Sequence, residues 1–342
     1  MIRVAINGFG RIGRVTLRVI LAKYLDRVKP VAINTSGSME IGGWAQLFEY
    51  DSIYGRFKGK IEVQKGEAQK GEIGILTINH QRIPLLAQRE PVKIPWQRYG
   101  VDVVIESTGV FRDRQSASAH LKAGAKKVVV SAPAEKIETF VIGVNEDQYQ
   151  GALVSNASCT TNCVAPVTKI MMENFGLQKA LMTTIHAYTA GQELVDGSHR
   201  DLRRARAAAV NIVPTSTGAA KATTEVLPSL RGLFDGLAYR VPVICGSVAD
   251  FTFLTTKRTS IEAINQVFTQ AAAGKYKGII EVSSKPLVST DIIGSSASAI
   301  IDLPLTQVID GDLVKVVAWY DNEWGYCCRL IELVARIGKN YE

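Results

Sequence analysis

Cys159 is the residue around which the chemistry of this sequence can be arranged. It stands in Ser155-Asn156-Ala157-Ser158-Cys159-Thr160-Thr161-Asn162-Cys163, after the strand-like end Ala152 to Ser155. Downstream, Cys163, Pro166, Val167, Ile170 and Met171 recur at helical spacing. Ser158 therefore falls at an N-cap and Cys159 opens a helix. A thiol there meets the positive end of the helix dipole and unpaired backbone N–H groups, both of which favour thiolate, so the position predicts a nucleophile with a lowered pKa. Cys163, one turn on, reads as a packing residue, because a disulfide to Cys159 would be strained.

A thiol nucleophile needs a base, and imidazole is its usual partner. His186 closes the alternating run Leu181 to His186 just before a polar loop, whereas His80 and His120 lie in peripheral patterns of the first half and His199 in a loop. His186 is the candidate. Thr189, Thr217, Gly218, Arg204 and Arg240 add hydroxyls, backbone N–H groups and fixed positive charge at loop starts, which suit phosphate recognition.

The elements that position these groups are readable on both sides of Cys159. Ile2 to Ile6 reads as a strand, Asn7-Gly8-Phe9-Gly10-Arg11-Ile12-Gly13-Arg14 as a turn, and the apolar-rich run from Val15 to Leu21 as a helix. Glycines at 8, 10 and 13 have the spacing that permits a tight turn, close approach of backbone to a pyrophosphate and helix packing on the sheet. Arg11 and Arg14 bring positive charge to that place. A second strand is expected at Pro30 to Asn34, others at Ile73 to Ile78, Val101 to Ser107 and Lys127 to Ser131, with a helix from Arg114 to Ala123. That alternation is doubly wound, and Ser107, Thr108 and Ser131 follow strand ends, where ligands of open α/β sheets bind.

After Cys159, alternating strands at Lys179 to His186, Gly236 to Val243, Cys245 to Thr255 and Leu313 to Tyr320 suggest a mostly antiparallel sheet. Leu330, Leu333, Val334 and Ile337 mark a final amphipathic helix. The expected fold class is α/β: a Rossmann-type doubly wound domain over 1–158, completed by 322–342, and an α+β catalytic domain over 159–321.

Composition narrows the function classes. The 342 residues, 46% hydrophobic and 21% charged, suffice for two cores. Five cysteines without a Cys-x-x-Cys pair and four scattered histidines predict a reducing, cytoplasmic setting and no metal site. There is no signal-like stretch and no apolar run of the ~18 residues a membrane helix needs. The net charge of +8 is spread along the chain. That fits steering of a small phosphorylated substrate, with neither nucleic acid nor membrane as partner.

Several long motifs then resemble phosphorylating glyceraldehyde-3-phosphate dehydrogenases over nearly the whole chain. They are Ile6 to Arg14, Ser155 to Cys163, His199-Arg200-Asp201-Leu202-Arg203-Arg204-Ala205-Arg206-Ala207, Pro214-Thr215-Ser216-Thr217-Gly218-Ala219-Ala220-Lys221 and Trp319-Tyr320-Asp321-Asn322-Glu323-Trp324-Gly325-Tyr326. The resemblance implies that Cys159 is the nucleophile and His186 the base. It implies that Ser158, Thr160, Thr217, Gly218 and Arg240 bind the attacking or the substrate phosphate, with Thr189 and Arg240 at the second anion site. The cofactor, NAD or NADP, would be held by Gly8, Gly10, Arg11, Ile12, Gly13, Asn34, Thr35, Ser107, Thr108, Ser131 and Ser198, with Asn322 on the nicotinamide carboxamide. Members are usually homotetramers, in which the loop from about Thr189 to Asn211 reaches a neighbour's cofactor site.

Two positions depart from the pattern of many relatives. Gly191 replaces an Asp near the expected substrate phosphate, and Thr35 replaces the acid that binds the ribose. With Ser36, Gly37 and Ser38 following and no carboxylate before Glu40, repulsion of a 2′-phosphate is gone, and Thr35 is expected to donate to it. Ser198, where many NAD-specific relatives carry proline, resembles photosynthetic NADP-using relatives. The nearest rival is erythrose-4-phosphate dehydrogenase, which hydrolyses its thioester; a non-enzymatic binding or scaffold role would go with loss of Cys159 or His186, and both are present.

Overall fold

Short apolar runs, buried on both faces, build the sheet of the first half. The computed structural model describes residues 1–66 and 71–339, so the end of the predicted C-terminal segment, 340–342, lies outside the described residues. The strands are β1 (Ile2–Asn7), β2 (Val28–Asn34), β3 (Ile61–Lys65), β4 (Glu72–Ile78), β5 (Gln81–Leu86), β6 (Val103–Glu106), β7 (Lys127–Val130), β8 (Glu138–Thr139) and β9 (Leu153–Ser155). Their order is β3-β4-β5-β2-β1-β6-β7-β9-β8. β1 pairs in parallel with β2 and β6, and β6 with β7, the reversal of strand order that places a ligand crevice at the ends of β1, β2 and β6. Ala5, Ala32, Val104, Val128 and Trp96 belong to the buried core of this sheet.

Two expectations change. The run Ile73 to Ile78 is not a wound parallel strand: β4 pairs antiparallel with both β3 and β5, and the turn at Asn79-His80 makes β4 and β5 a hairpin. The helix expected from Arg114 to Ala123 is two short turns, α3 (Arg114–Ala117) and α4 (Ala119–Lys122), preceded in this unit by α1 (Arg11–Val19) and α2 (Ile41–Glu49). The break falls at Ser118, whose hydroxyl donates to the Arg114 carbonyl at 2.6 Å. A serine bonding back in this way competes with the backbone ladder.

The second half opens with α5 (Cys159–Phe175) and continues through β10 (Leu177–Ala187), β11 (Val213–Ser216), α6 (Ala219–Val226), β12 (Phe234–Val241), β13 (Ser247–Thr255), α7 (Ile261–Ala273), β14 (Ile280–Ser283), β15 (Ala299–Asp302), β16 (Gln307–Ile309) and β17 (Leu313–Tyr320). The sheet order is β11-β12-β10-β13-β17-β15-β14, with β16 on β17. Most pairs are antiparallel, and β10 with β12 and β14 with β15 are parallel. β13 alternates buried and half-buried residues over its whole length, as a strand with one covered face must.

The last helix, α8 (Trp324–Gly338), buries Leu330, Ile331, Leu333, Val334 and Ile337 completely. Chain contacts gather into two units, 1–140 with 147–157 and 327–342, and 141–146 with 158–326.

Candidate active site

α5 is aimed by its first turn. Ser158 is extended (φ −99°, ψ 165°), and its hydroxyl oxygen accepts the Thr161 N–H at 3.1 Å, which caps the helix. Just before it Ala157 sits at φ +54°, a left-handed conformation rare for a residue with a Cβ. Such local strain concentrates at functional sites.

Cys159 Sγ lies 3.4 Å from His186 Nε2. His186 and Arg240 are directly opposed in the parallel register of β10 and β12. On the far side of the ring, Nδ1 stands 2.6 Å from the Ala187 carbonyl oxygen, which accepts, and 2.5 Å from Arg240 Nη1, which donates. These neighbours stabilise opposite tautomers. With its proton on Nδ1 the ring offers a lone pair to the thiol; with the proton on Nε2 it offers a donor to sulfur or to an oxyanion. Burial, reinforced by Arg240, pushes the His186 pKa down from 6.5 to about 3, so the imidazole is neutral at physiological pH.

The expectation of a depressed thiol pKa is corrected. Burial pushes the Cys159 thiol up, and Arg240, the Thr160 hydroxyl and the backbone N–H groups of the helix start act against it without prevailing. Thiolate at this position therefore leans on Arg240, itself partly desolvated.

The expected anion-binding residues divide. Thr217 Oγ1 accepts the Ala219 N–H at 3.2 Å, and Gly218, the N-cap of α6, has open space where a Cβ would point. Thr189 N donates to Gln192 Oε1 at 3.2 Å in the loop that also holds Gly191 and the exposed Ser198. Arg204 is engaged within its own loop, bonding Thr215 Oγ1 at 2.9 Å and facing Asp201 at 3.5 Å. Asn322 Oδ1 accepts from Gly246 N at 3.1 Å and Ser247 Oγ at 2.9 Å, which fixes its amide orientation.

In this unit sequence reasoning passed over Tyr320. Tyr320 donates or accepts with Thr160 Oγ1 at 3.0 Å and Thr184 Oγ1 at 2.8 Å, and sets its ring edge-on against His186. Its signal was its place at the end of an alternating strand.

In the first unit, a cavity of about 460 Å³ is lined by Asn7, Gly8, Gly10, Asn34, Thr35, Ser36, Ser107 and Thr108, with Trp44, Arg89 and Phe111 among its other walls. Gly8 takes φ +97°, and a Cβ on it would stand 2.7 Å from Thr108 N; one on Gly13 would stand 2.1 Å from the Gly8 carbonyl oxygen. Gly10 has nothing within 4 Å of that point and caps α1 without a side chain. Backbone of this kind at a helix start fits a pyrophosphate, and Ile12 lies in the first turn of that helix. Ser107 Oγ donates to the carbonyls of Asn7 and Gly8, and Ser131 N to the Glu106 carbonyl.

Three side chains expected at the cofactor have partners within the unit. The Arg11 guanidinium makes a two-point ion pair with buried Asp51. Asn34 donates both amide hydrogens, to Asn7 Oδ1 and the Gln88 carbonyl, and its Oδ1 accepts the Gln88 N–H. Thr35 is 3% exposed, donates to the Leu86 carbonyl at 3.0 Å and accepts from Gly37 N, so its hydroxyl is not presented to a ligand. Arg89 is the residue that sequence reasoning passed over: it is exposed, lines the cavity and has no hydrogen-bond or ion-pair partner among the described residues. It follows β5, a strand the sequence pattern did not reveal.

The glycine-lined cavity of the one unit, and in the other a helix-start cysteine 3.4 Å from an imidazole, are features expected of a dinucleotide-linked oxidoreductase. Comparison with known proteins agrees. Residues 158–322 match the family model described as glyceraldehyde 3-phosphate dehydrogenase, C-terminal domain, and residues 2–114 the corresponding NAD binding domain. The chain is 50% identical over 348 residues to glyceraldehyde-3-phosphate dehydrogenase of Mycobacterium avium (99% of each chain). It is 47% identical over 341 residues to glyceraldehyde-3-phosphate dehydrogenase 1 of Streptomyces avermitilis (98% of each). It is also 47% identical over 346 residues to the chloroplastic B form of Pisum sativum, covering 99% of this chain and 75% of that one. The chain belongs to the glyceraldehyde 3-phosphate dehydrogenase family, and its cofactor is NAD or NADP. No described helix is long and apolar enough to cross a membrane.

Proposed function

We propose that this protein oxidises glyceraldehyde 3-phosphate with inorganic phosphate to 1,3-bisphosphoglycerate, reversibly, in the cytoplasm. The observation that carries the reading is the Cys159–His186 contact at 3.4 Å with Arg240 against the same imidazole. The Cys159 thiol gives its proton to His186 Nε2 as the sulfur adds to the aldehyde carbon, and Nε2 passes that proton on to the forming alkoxide. His186 then withdraws the hydroxyl proton as the carbon gives up its hydride and becomes a thioester. The nicotinamide, when bound, would supply the hydride acceptor, and Asn322 would hold its carboxamide. Phosphate, bound by Ser158, Thr160, Thr217, Gly218 and Arg240, attacks the thioester carbon; the C–S bond breaks, the acyl phosphate leaves, and the departing sulfur takes back the proton held by His186. Thr189 and Arg240 hold the second anion, and backbone N–H at Cys159 supports the oxyanion.

Residues 1–158 with 322–342 serve as the cofactor domain and 159–321 as the catalytic domain in this reading. NADP is accepted alongside NAD, since Thr35 leaves no carboxylate to repel a 2′-phosphate. The cation available to that phosphate is Arg89, with the hydroxyls of Ser36 and Ser38, which lie 2.8 Å apart. Subunits associate as a homotetramer through the loop that carries Ser198: Leu194, Val195, Leu202, Val210 and Ile212 there are all more than two-thirds exposed, more apolar surface than a monomer leaves uncovered in one loop.

Purified protein assayed with glyceraldehyde 3-phosphate, each cofactor in turn, with and without phosphate, tests the reading. Turnover that requires phosphate or arsenate supports it. Equal turnover without phosphate assigns hydrolysis and points to erythrose 4-phosphate as the substrate to try.

A further inference from the structure

A group of buried polar side chains in the first unit takes no part in the reaction described above. Trp96 and His120 are completely buried, and Glu106 is 1% exposed. An indole N–H donates and cannot accept. Trp96 Nε1 lies 3.0 Å from His120 Nδ1, so Nδ1 is the lone-pair nitrogen and the ring proton sits on Nε2. That proton faces Glu106 Oε2 at 2.9 Å, and the same oxygen accepts from Asn7 Nδ2 at 2.5 Å. Glu106 Oε1 accepts from the Thr108 backbone N–H at 2.8 Å and from the Thr108 hydroxyl. With its nitrogen turned to Glu106, Asn7 presents Oδ1 to Asn34 Nδ2 at 2.7 Å, and Asn34 in turn exchanges bonds with the Gln88 backbone. Trp96 thus fixes the His120 tautomer, the four donors that meet Glu106 make both its oxygens acceptors, and the Gln88 backbone sets the amide of Asn34.

The path ends in the walls of the 460 Å³ cavity: Asn7 at the end of β1, Asn34 at the end of β2 and Thr108 after β6. We propose that Glu106 and His120, with Trp96 fixing the tautomer, are positioning residues of the dinucleotide site. They hold the three strand ends at one spacing and one hydrogen-bonding polarity without touching the cofactor. The alternative, that the cluster only stabilises the fold, makes a different prediction, because it links cofactor affinity to no particular orientation.

Glu106→Gln puts a donor where four donors converge, so at least one wall residue must turn. Cofactor Kd by calorimetry on the purified full chain should rise ~30-fold for NAD and NADP alike, while kcat at saturating cofactor changes less than about twofold. Trp96→Phe removes only the orienting donor and serves if Glu106→Gln does not fold; it should raise Kd by about threefold to tenfold. A readout independent of activity is the ¹⁵N spectrum of histidine-labelled protein, in which His120 should show an unprotonated Nδ1 in the parent and mixed tautomers in Trp96→Phe. A protonated Nδ1 in the parent overturns the proposal. So does a lower melting temperature with unchanged Kd in the variants. Absence of cofactor binding by the parent itself would instead sink the dehydrogenase reading.

Discussion

Arg89→Ala is the sharpest perturbation of cofactor choice. Arg89 lines the same cavity as Thr35 and Ser36, and no described residue pairs with it, so a 2′-phosphate within its reach would gain a charge-assisted contact at no cost to an existing one. Such contacts contribute about 1.5–3 kcal/mol. Because Arg89 is exposed, screening favours the lower end, and about 1.5–2 kcal/mol corresponds to ~10–30-fold in kcat/KM. NAD carries a neutral hydroxyl at that point, so its kcat/KM should change less than about twofold. Arg89→Lys keeps the charge but not the planar fork and should fall between. The assay is kcat/KM for both cofactors in parent and both variants, at low and high salt. Equal losses with NAD and NADP would refute the assignment, as would a parent that prefers NAD a hundredfold. Thr35 is the poorer position to change, since an acid there would set a carboxylate against the Leu86 carbonyl.

Other outcomes follow from the same geometry. Cys159→Ser should retain cofactor binding with less than about a tenth of parental oxidation, because a hydroxyl ionises far less than a thiol; higher activity would remove Cys159 as nucleophile. Arg240→Ala should raise KM for phosphate ~10–100-fold with cofactor Kd nearly unchanged, measured by steady-state kinetics and calorimetry. His186, whose folded pKa of about 3 lies below its unfolded 6.5, binds its proton more readily in the unfolded chain. Its contribution is complete above pH 6.5 and declines by about 1.4 kcal/mol per unit as pH falls towards 3. His186→Gln should therefore show a shallower loss of stability between pH 6.5 and 5 in urea titrations, and an unchanged slope would contradict that. Light scattering should give the mass of a tetramer, and a monomeric mass at working concentration would overturn the subunit proposal.

Most of the frame was legible because local signals and tertiary demands coincide there. The glycine turn after β1, the cap at Ser158 and the alternation in β13 each state in sequence what the fold requires. The hairpin of β4 and β5 was hidden because its strands carry Gly74 and Pro84 and give a weak period. The break at Ser118 depends on one rotamer of one hydroxyl. Side-chain commitments were the least legible: nothing near Arg11 in sequence announces Asp51, and nothing near Thr35 announces the Leu86 carbonyl. Burial, likewise, is a property of the folded neighbourhood, which is why a helix start alone suggested an acidic thiol and the enclosed site does not.

The opposition of His186 and Arg240 across β10 and β12 bears on how such a protein can diverge. Neighbouring strands stand about 4.8 Å apart whatever joins them, so the distance between imidazole and guanidinium is set by the sheet and owes nothing to the connection between the strands. Insertions, deletions or whole exchanges in the stretch from Thr189 to Asn211 can then accumulate without moving that pair. A lineage, or an engineer, can rewrite that loop while the imidazole and guanidinium are inherited as a single cassette.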